Sequence, residues 1–228
     1  MRFRSFRDFE DGEIIGGLGF DIILHRRAIG ELVLPSGRLL ACDPIAALDT
    51  EPFSVQLEPG VYPTHLIIAE LRDEKRCAYA VVDLLSSDVY RWELATLPAP
   101  PDQTIFDKQE EVGYTVDSSL GAFVDGETAA DLLNYHQLVM PEDNDFERHI
   151  WGRVNKRRRQ GVGWASLDLC RDLKLPCTDK RNLLAFDAGF GNGYYETYIG
   201  YDSDDEITSV VTDFEVLDLR FPSFPIGT

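Results

Sequence analysis

The stretch from residue 183 to 217 constrains the fold of this chain most, because it predicts strands separated by tight turns. An apolar run ends at Asp187, and the glycine-rich segment AGFGNG follows at 188–193. Glycine adopts the positive φ that a sharp reversal needs, and Asn-Gly is the strongest short hairpin signal. The runs 194–201 and 207–216 are rich in aromatic and β-branched residues, and the turn between them is acidic. We therefore predict a three-stranded β-meander.

The segment 59–85 predicts a long hairpin at the centre of a sheet. Its two runs, 62–71 and 76–85, are dense in Ile, Val, Leu and Ala, and residues 73–75 reverse the chain between them. Apolar residues at nearly every position indicate strands that are covered on both faces. Shorter strands are predicted at 31–34, 38–42 and 90–95.

The middle of the chain carries the helices. Asp125 is a typical N-cap for the first helix. A second helix is predicted from 142 to 160, where Phe146, Ile150 and Val154 recur at four-residue spacing as a buried stripe. We expect a third, short helix over 165–173.

These patterns predict an α+β fold: a mainly antiparallel β-sheet or sandwich, with two to three helices from the middle segment and a C-terminal β-meander. We expect a single domain over 1–228. Its parts are an N-terminal β half (about 30–97), a proline-rich connection (98–102), a helical middle (125–175) and the C-terminal meander (183–217).

The charge composition indicates which classes of binding partner are favoured. The net charge is −18, with 40 acidic against 22 basic residues, which excludes nucleic acid as a favoured partner and favours a basic protein surface. General solubility accounts for the same charge equally well. No apolar run is long enough for a membrane span, and the N-terminus is charged before any signal-like stretch forms, so we predict a cytoplasmic protein without a membrane partner. The sequence leaves the oligomeric state open.

The four cysteines are expected to be reduced and mostly buried, because their density is ordinary and no export signal is present. They are Cys42, Cys77, Cys170 and Cys177. No cofactor and no metal site is predicted, since Cys170 and Cys177 have no further ligand at zinc spacing.

A scatter of aspartates at predicted strand ends offers one route to catalysis. If Asp43, Asp117, Asp187 and Asp213 converged, they could hold a hard cation or act as an acid–base pair. The favoured interpretation is that short acidic side chains cap helices and stabilise turns. The histidines stand near no nucleophile motif, and Cys42 is interpreted as a small buried residue.

Three further features are candidates for binding. The aromatic side chains of Tyr194, Tyr195, Tyr198 and Trp164, with Asn192, could line a small-ligand pocket. The glycine turn at 189–193 is followed by a strand and not by a helix, so we interpret it as a hairpin and not as a phosphate loop. The basic cluster at 156–159 could bind an anion, although a solvated helix C-terminus is the favoured interpretation.

Several linked motifs resemble one known family. These are LPSGRLLACDP (34–44), PGVYP (59–63), the VD pairs at 116–117 and 124–125, GNGYY (191–195) and TDF (212–214). In this order they resemble the bacterial domain-of-unknown-function family 4241, from about Gly30 to Leu217. The family's glycine turn usually contains Gly-Asp-Gly after a serine, whereas this chain has Asn192 and Ala188. The resemblance implies a common fold and little about activity.

Our leading hypothesis is therefore an acidic, non-catalytic binding protein that neutralises a basic partner, as immunity proteins do for toxins. One alternative is a hydrolase, metal-dependent or not, that uses the strand-end aspartates. The other is a small-ligand-binding protein.

Overall fold

The structure is a computed structural model, and it describes residues 9–16, 21–98, 112–139, 145–173, 175 and 179–217. In these residues the α+β prediction is confirmed, with antiparallel strands and helices from the middle of the chain. The described strands are β1 (Ile14–Gly16), β2 (Asp21–Leu34), β3 (Leu39–Cys42), β4 (Gly60–Glu70), β5 (Lys75–Asp83), β6 (Arg91–Leu94), β7 (Tyr114–Val116), β8 (Leu120–Asp125), β9 (Trp164–Asp168), β10 (Asn182–Asp187), β11 (Gly193–Tyr201) and β12 (Ile207–Asp213). The described helices are α1 (Gly126–Val139), α2 (Asp145–Arg158) and α3 (Leu169–Asp172).

The described strands form two sheets. The larger sheet has the order β1-β2-β4-β5-β12-β11-β6, and β7 also pairs with β11. The smaller sheet has the order β3-β8-β10-β9. The β4–β5 hairpin lies in the middle of the larger sheet, as the sequence predicted, and both strands contain runs of buried residues.

Strands β3, β8 and β10 of the smaller sheet are buried on both faces, which explains why they lack apolar–polar alternation. Leu184 and Phe186 of β10 pack in the core between the two sheets, and Leu183 and Ala185 pack in a second core. That second core also contains Leu132 of α1 with Phe146, Ile150 and Val154 of α2, so the predicted stripe of α2 is confirmed. The molecule is therefore layered as sheet, sheet and helices.

A chain of aromatic side chains joins the two sheets. The rings of Phe123 and Phe186 are 5.2 Å apart, those of Phe186 and Phe214 are 5.9 Å apart, and those of Phe214 and Tyr195 are 5.0 Å apart, each pair edge to face. Such pairs add to the stability that their buried area provides. Gly121 lies against this chain, where an added Cβ would be 2.9 Å from the Phe186 ring.

Two predicted elements were wrong in detail. The first strand of the predicted meander, β10, pairs with β8 and β9, so only β11 and β12 form a hairpin. The glycine turn at 188–192 carries the chain from one sheet to the other, because Ala188 donates its N–H to Ser119 O and both flanking strands already have other partners. The predicted helix at 165–173 is divided: residues 165–168 belong to strand β9, which alternates in burial and pairs with β10, and Leu169–Asp172 form the short helix α3.

Other predictions meet the described residues only in part. The second helix ends at Arg158 and not at residue 160, while its predicted start lies in residues 140–144, outside the described part, as do residues 99–102 of the proline-rich connection. Cys42 and Cys77 are free and buried, but Cys170 is disulfide-bonded, so the expectation of reduced cysteines is wrong there. The assignment of the whole chain to one domain stays a prediction.

Candidate functional site

Asp43 follows β3 directly, and its buried carboxylate is fully engaged by backbone and hydroxyl donors. One oxygen accepts from Ile45 N (2.8 Å), Ala46 N (3.1 Å) and Ser118 Oγ (2.7 Å). The other accepts from Asp117 N (2.8 Å) and Ser118 N (2.6 Å). Burial alone would raise the pKa of Asp43, but these hydrogen bonds lower it below its usual value. The ionised side chain therefore connects the loop that follows β3 to the loop between β7 and β8 by hydrogen bonds.

Asp125 ends β8 and caps α1, as predicted. Its Oδ1 accepts from Glu127 N (3.1 Å) and Thr128 N (3.3 Å), which are free donors of the first helical turn. Its Oδ2 accepts from both the N–H (3.0 Å) and the hydroxyl (2.7 Å) of Ser36. The same carboxylate thus caps a helix and fixes the turn that leads into β3.

The other predicted catalytic aspartates are engaged separately. Asp187 ends β10, pairs with Arg158 of α2 and accepts from Gly163 N (2.6 Å). Asp213 ends β12 and accepts from Glu215 N (2.7 Å). The backbone of Asp117 contacts Asp43, while its side chain is exposed.

The structure therefore brings Asp43 and Asp117 together only through a backbone N–H. Asp187 and Asp213 end strands in different sheets. Among the described residues, no group of three or more His, Cys, Asp or Glu side chains is arranged to hold a metal ion. Cys42 lies beside Asp43, and burial raises the pKa of its thiol, followed by the charge of Asp43, so it is not activated as a nucleophile.

The predicted aromatic ligand residues are also dispersed. Tyr195 belongs to the core and donates to Gly191 O (2.8 Å), and Asn192 accepts from Ser119 Oγ (2.8 Å). Tyr194 lies on the opposite face of β11 and is exposed, and Tyr198 donates to Glu196 (2.5 Å). Of the five, Trp164 lines the cavity described next.

That cavity, which we call the basic cavity, has a volume of about 150 Å³. It opens between the larger sheet and the segment joining α2 to β9. Its polar lining consists of His25 and Arg27 from β2, Lys75 from β5, Arg157 from α2, Gln160 and Trp164. Its apolar lining comes from Ile68 and Val162. Arg157 and Trp164 were candidates from the sequence, whereas His25, Arg27 and Lys75 were missed, because single basic residues in separate strands carry no signal that they meet at one site.

A second surface is formed where the β5–β6 connection meets the β11–β12 turn, and we call it the acidic end. Its acidic residues are Asp88, Glu93, Asp202, Asp204, Asp205 and Glu206. All of them are exposed except Asp202, which is half-buried.

The contacts within the acidic end hold the two segments together. Ser87 Oγ donates to Asp202 (2.8 Å), and Asp202 also accepts from the N–H groups of Asp204 and Glu206. The hydrogen bond from Ser87 and those backbone donors lower the pKa of Asp202. Arg91 pairs with Glu93 (2.9 Å) and Asp205 (2.6 Å), and it is the only Lys or Arg in segments 84–94 and 201–207.

The acidic end also exposes apolar side chains. Tyr90 is 78% exposed, more than any other large hydrophobic residue of the described chain, and Leu85 and Leu94 are exposed beside it. Tyr90 is fixed by its N–H, which donates to Tyr201 O (2.7 Å). It lies next to β6, the last strand of the larger sheet among the described residues. An exposed aromatic residue beside a sheet edge is a typical contact site for another protein.

The fold and these surfaces define a layered α+β protein whose motif aspartates stabilise turns. The chain belongs to the family described as "Protein of unknown function (DUF4241)", whose model matches residues 32–212. The resemblance stated from the sequence motifs is thereby confirmed. A search of curated proteins found no match, and a search of solved structures found none. No helix in the described part of the chain is long and apolar enough to cross a membrane.

Proposed function

We propose that this protein is a non-catalytic binding protein whose acidic end holds a basic protein partner, as an immunity protein holds a toxin. The observation that carries the proposal is the group of six acidic residues around the exposed Tyr90, with one arginine among them. A negative surface of this kind attracts a positive one over about a Debye length and raises the association rate.

The apolar side chains of the acidic end supply affinity, which surface charge alone does not provide. Surface charges steer association but add little affinity by themselves, whereas a desolvated tyrosine is a common hot spot. Tyr90 has the exposure that such a contact needs. The edge of β6 could add backbone hydrogen bonds with a strand of the partner.

The aspartates support binding over catalysis. Asp43, Asp187 and Asp213 each accept hydrogen bonds from nearby backbone groups, which is the arrangement expected of structural acids. The alternative of a hydrolase would need several of them in one cleft.

A cytoplasmic location remains part of the proposal. Free thiols at Cys42 and Cys77 fit a reducing compartment, and the Cys170 disulfide does not.

The test compares two variants of equal charge. Asp204→Lys/Glu206→Lys alters the acidic end, and Glu31→Lys/Asp73→Lys makes the same change at exposed positions elsewhere. Each immobilised protein is exposed to a lysate of the source organism at about 50 and 300 mM NaCl, and retained proteins are quantified by mass spectrometry.

We expect a partner rich in Lys and Arg whose retention falls at high salt. It should fall about tenfold or more with the acidic-end variant and stay within about twofold with the control, because surface charge contributes only where it faces the partner. Tyr90→Ala should also weaken retention. Retention of neutral or acidic proteins alone, insensitive to salt, would contradict the proposal, as would equal loss in both double variants.

A further inference from the structure

We propose that the basic cavity is a binding site for a small oxyanion, namely a phosphate or carboxylate group carried by a small molecule. Three cationic side chains and His25 line this cavity in a chain whose net charge is −18. This concentration of positive charge opposes the overall charge of the molecule.

The charges of the cavity are not balanced within the described protein. Glu70 takes up two of the basic side chains, since its carboxylate lies 2.6 Å from His25 Nε2 and 2.8 Å from Lys75 Nζ. The Arg27 side chain has no hydrogen bond or ion pair with a described residue, and Arg157 has no carboxylate partner among them. Two guanidinium groups therefore remain without a counter-ion.

Arg157 is held in a geometry that suits a ligand. Its guanidinium lies 3.8 Å from the centre of the Trp164 ring, and its Nη1 donates to Trp164 O (3.3 Å). Its other N–H groups have no acceptor in the described protein. Burial, and then the neighbouring charge of Arg153, lower the pKa of Arg157, whereas a bound anion would favour the charged form of its guanidinium. A guanidinium fixed on an aromatic ring is prepared for bidentate contact with an oxyanion.

The size of the cavity sets the class of ligand. A volume of about 150 Å³ is below the roughly 300 Å³ of the smallest pockets that hold drug-sized molecules. It therefore admits one oxyanion group with a short carbon chain. Gln160 supplies a neutral donor, and Ile68 and Val162 supply apolar walls for the remainder of such a ligand.

The site is independent of the acidic end. Lys75 begins β5, whereas the acidic end begins beyond Asp83, at the opposite end of the same strand. A strand of this length separates the two surfaces by roughly 25–30 Å. Substitutions in the cavity consequently test oxyanion binding without altering the surface proposed for the partner.

The experiment is isothermal titration calorimetry of the full chain in a chloride buffer, with inorganic phosphate and malonate as separate probes. The variants are Arg27→Gln and Arg157→Gln, and the matched control is Arg159→Gln, an exposed neighbour that does not line the cavity. Arg157→Lys is added because it keeps the charge and loses the planar fork. Circular dichroism establishes that each variant is folded.

We expect saturable binding of at least one probe with a Kd of about 1 mM or lower, and the probe that binds identifies the oxyanion. Arg27→Gln and Arg157→Gln should each weaken binding about fivefold or more, Arg157→Lys should weaken it less, and Arg159→Gln should leave it unchanged. If Arg157→Gln does not fold, Arg27→Gln decides the matter. Absence of saturable binding of both probes up to about 10 mM, or equal affinity in wild type and Arg27→Gln, would overturn the proposal.

Discussion

The Asp43 carboxylate accepts five hydrogen bonds from two loops that are far apart in sequence. Protonation of a carboxylate with these partners costs more free energy than protonation of an exposed one. Each donor needs a lone pair, and a protonated oxygen is a poor acceptor. The pKa of Asp43 is lowered in the folded protein for this reason. Its contribution to stability is therefore present above the unfolded-state pKa of about 3.9 and is lost as the pH falls through the folded-state pKa.

The first prediction concerns Asp43→Asn. The variant should lose about 2–4 kcal/mol of the free energy of unfolding at pH 7, because its amide nitrogen faces two of the donors that the carboxylate accepted. Wild type and variant should converge in stability as the pH falls below about 4. Urea unfolding between pH 2.5 and 7, followed by circular dichroism, measures both effects. The control Asp73→Asn alters an exposed turn and should cost less than about 0.5 kcal/mol; a constant gap between wild type and Asp43→Asn at every pH would contradict this account.

At the scale of elements, the corner at 188–192 is the connection on which the two-sheet arrangement depends. Gly189 has φ +36°, and a Cβ at this position would lie 2.7 Å from Phe214 O. The backbone of this corner therefore contacts the segment that follows β12 too closely for a side chain. Here glycine is required both by conformation and by space.

The second prediction compares two glycine-to-alanine changes. Gly189→Ala should destabilise the protein by about 2 kcal/mol or more, because the strained φ and the contact with Phe214 both oppose it. Gly152→Ala lies within α2 with open space around its Cβ, and it should stabilise by about 0.5–1 kcal/mol. Thermal and urea unfolding measure the two changes. A neutral Gly189→Ala would show that the corner is not constrained in this way.

The positions of the strands along the chain could largely be predicted from the sequence, whereas the pairing of the strands could not. The runs of β4, β5, β11 and β12 were identifiable because β-branched and aromatic residues end at turn residues. The partner of β10 was not, since a strand buried on both faces has no alternation to say which sheet it joins. Residues 165–168 of β9 were included in the predicted helix at 165–173 because so short a segment fits the period of a helix and of a strand.

The candidate sites were predictable to a smaller extent. The capping role of Asp125 followed from its position before a helix, and the hydrogen bonds confirm it. The basic cavity could not be predicted, because Arg27, Lys75 and Arg157 are brought together by pairing between distant segments. The acidic end likewise depends on contact between residue 87 and residue 202.

At the scale of the whole molecule, a net charge of −18 implies repulsion between surface carboxylates. Salt screens such repulsion over distances beyond the Debye length, while the buried apolar core is little affected. The folded protein should therefore gain stability from moderate salt.

The third prediction is a rise in Tm of roughly 2–4 °C between about 10 and 300 mM NaCl, equal to about 1 kcal/mol for a chain of this size. Asp204→Lys/Glu206→Lys and Glu31→Lys/Asp73→Lys each change the net charge from −18 to −14, since each substitution adds two positive charges. Both should reduce the salt response equally, although only the former should reduce partner binding. A Tm that falls with salt in wild type would show that specific ion pairs outweigh the repulsion.

We propose that the motif aspartates stabilise the fold and perform no chemistry, so that the protein acts by binding. The most direct test is the Tm of wild type, Asp43→Asn and Asp187→Asn, each with and without about 5 mM Mg²⁺, Mn²⁺, Ca²⁺ or Zn²⁺. We expect both variants to have a lower Tm in metal-free buffer, and we expect no cation to raise the wild-type Tm by more than about 1 °C. The opposite result would be a cation that raises the wild-type Tm by several degrees, with variants that match the wild-type Tm in metal-free buffer and do not respond to that cation. This result would contradict a purely structural role of the aspartates.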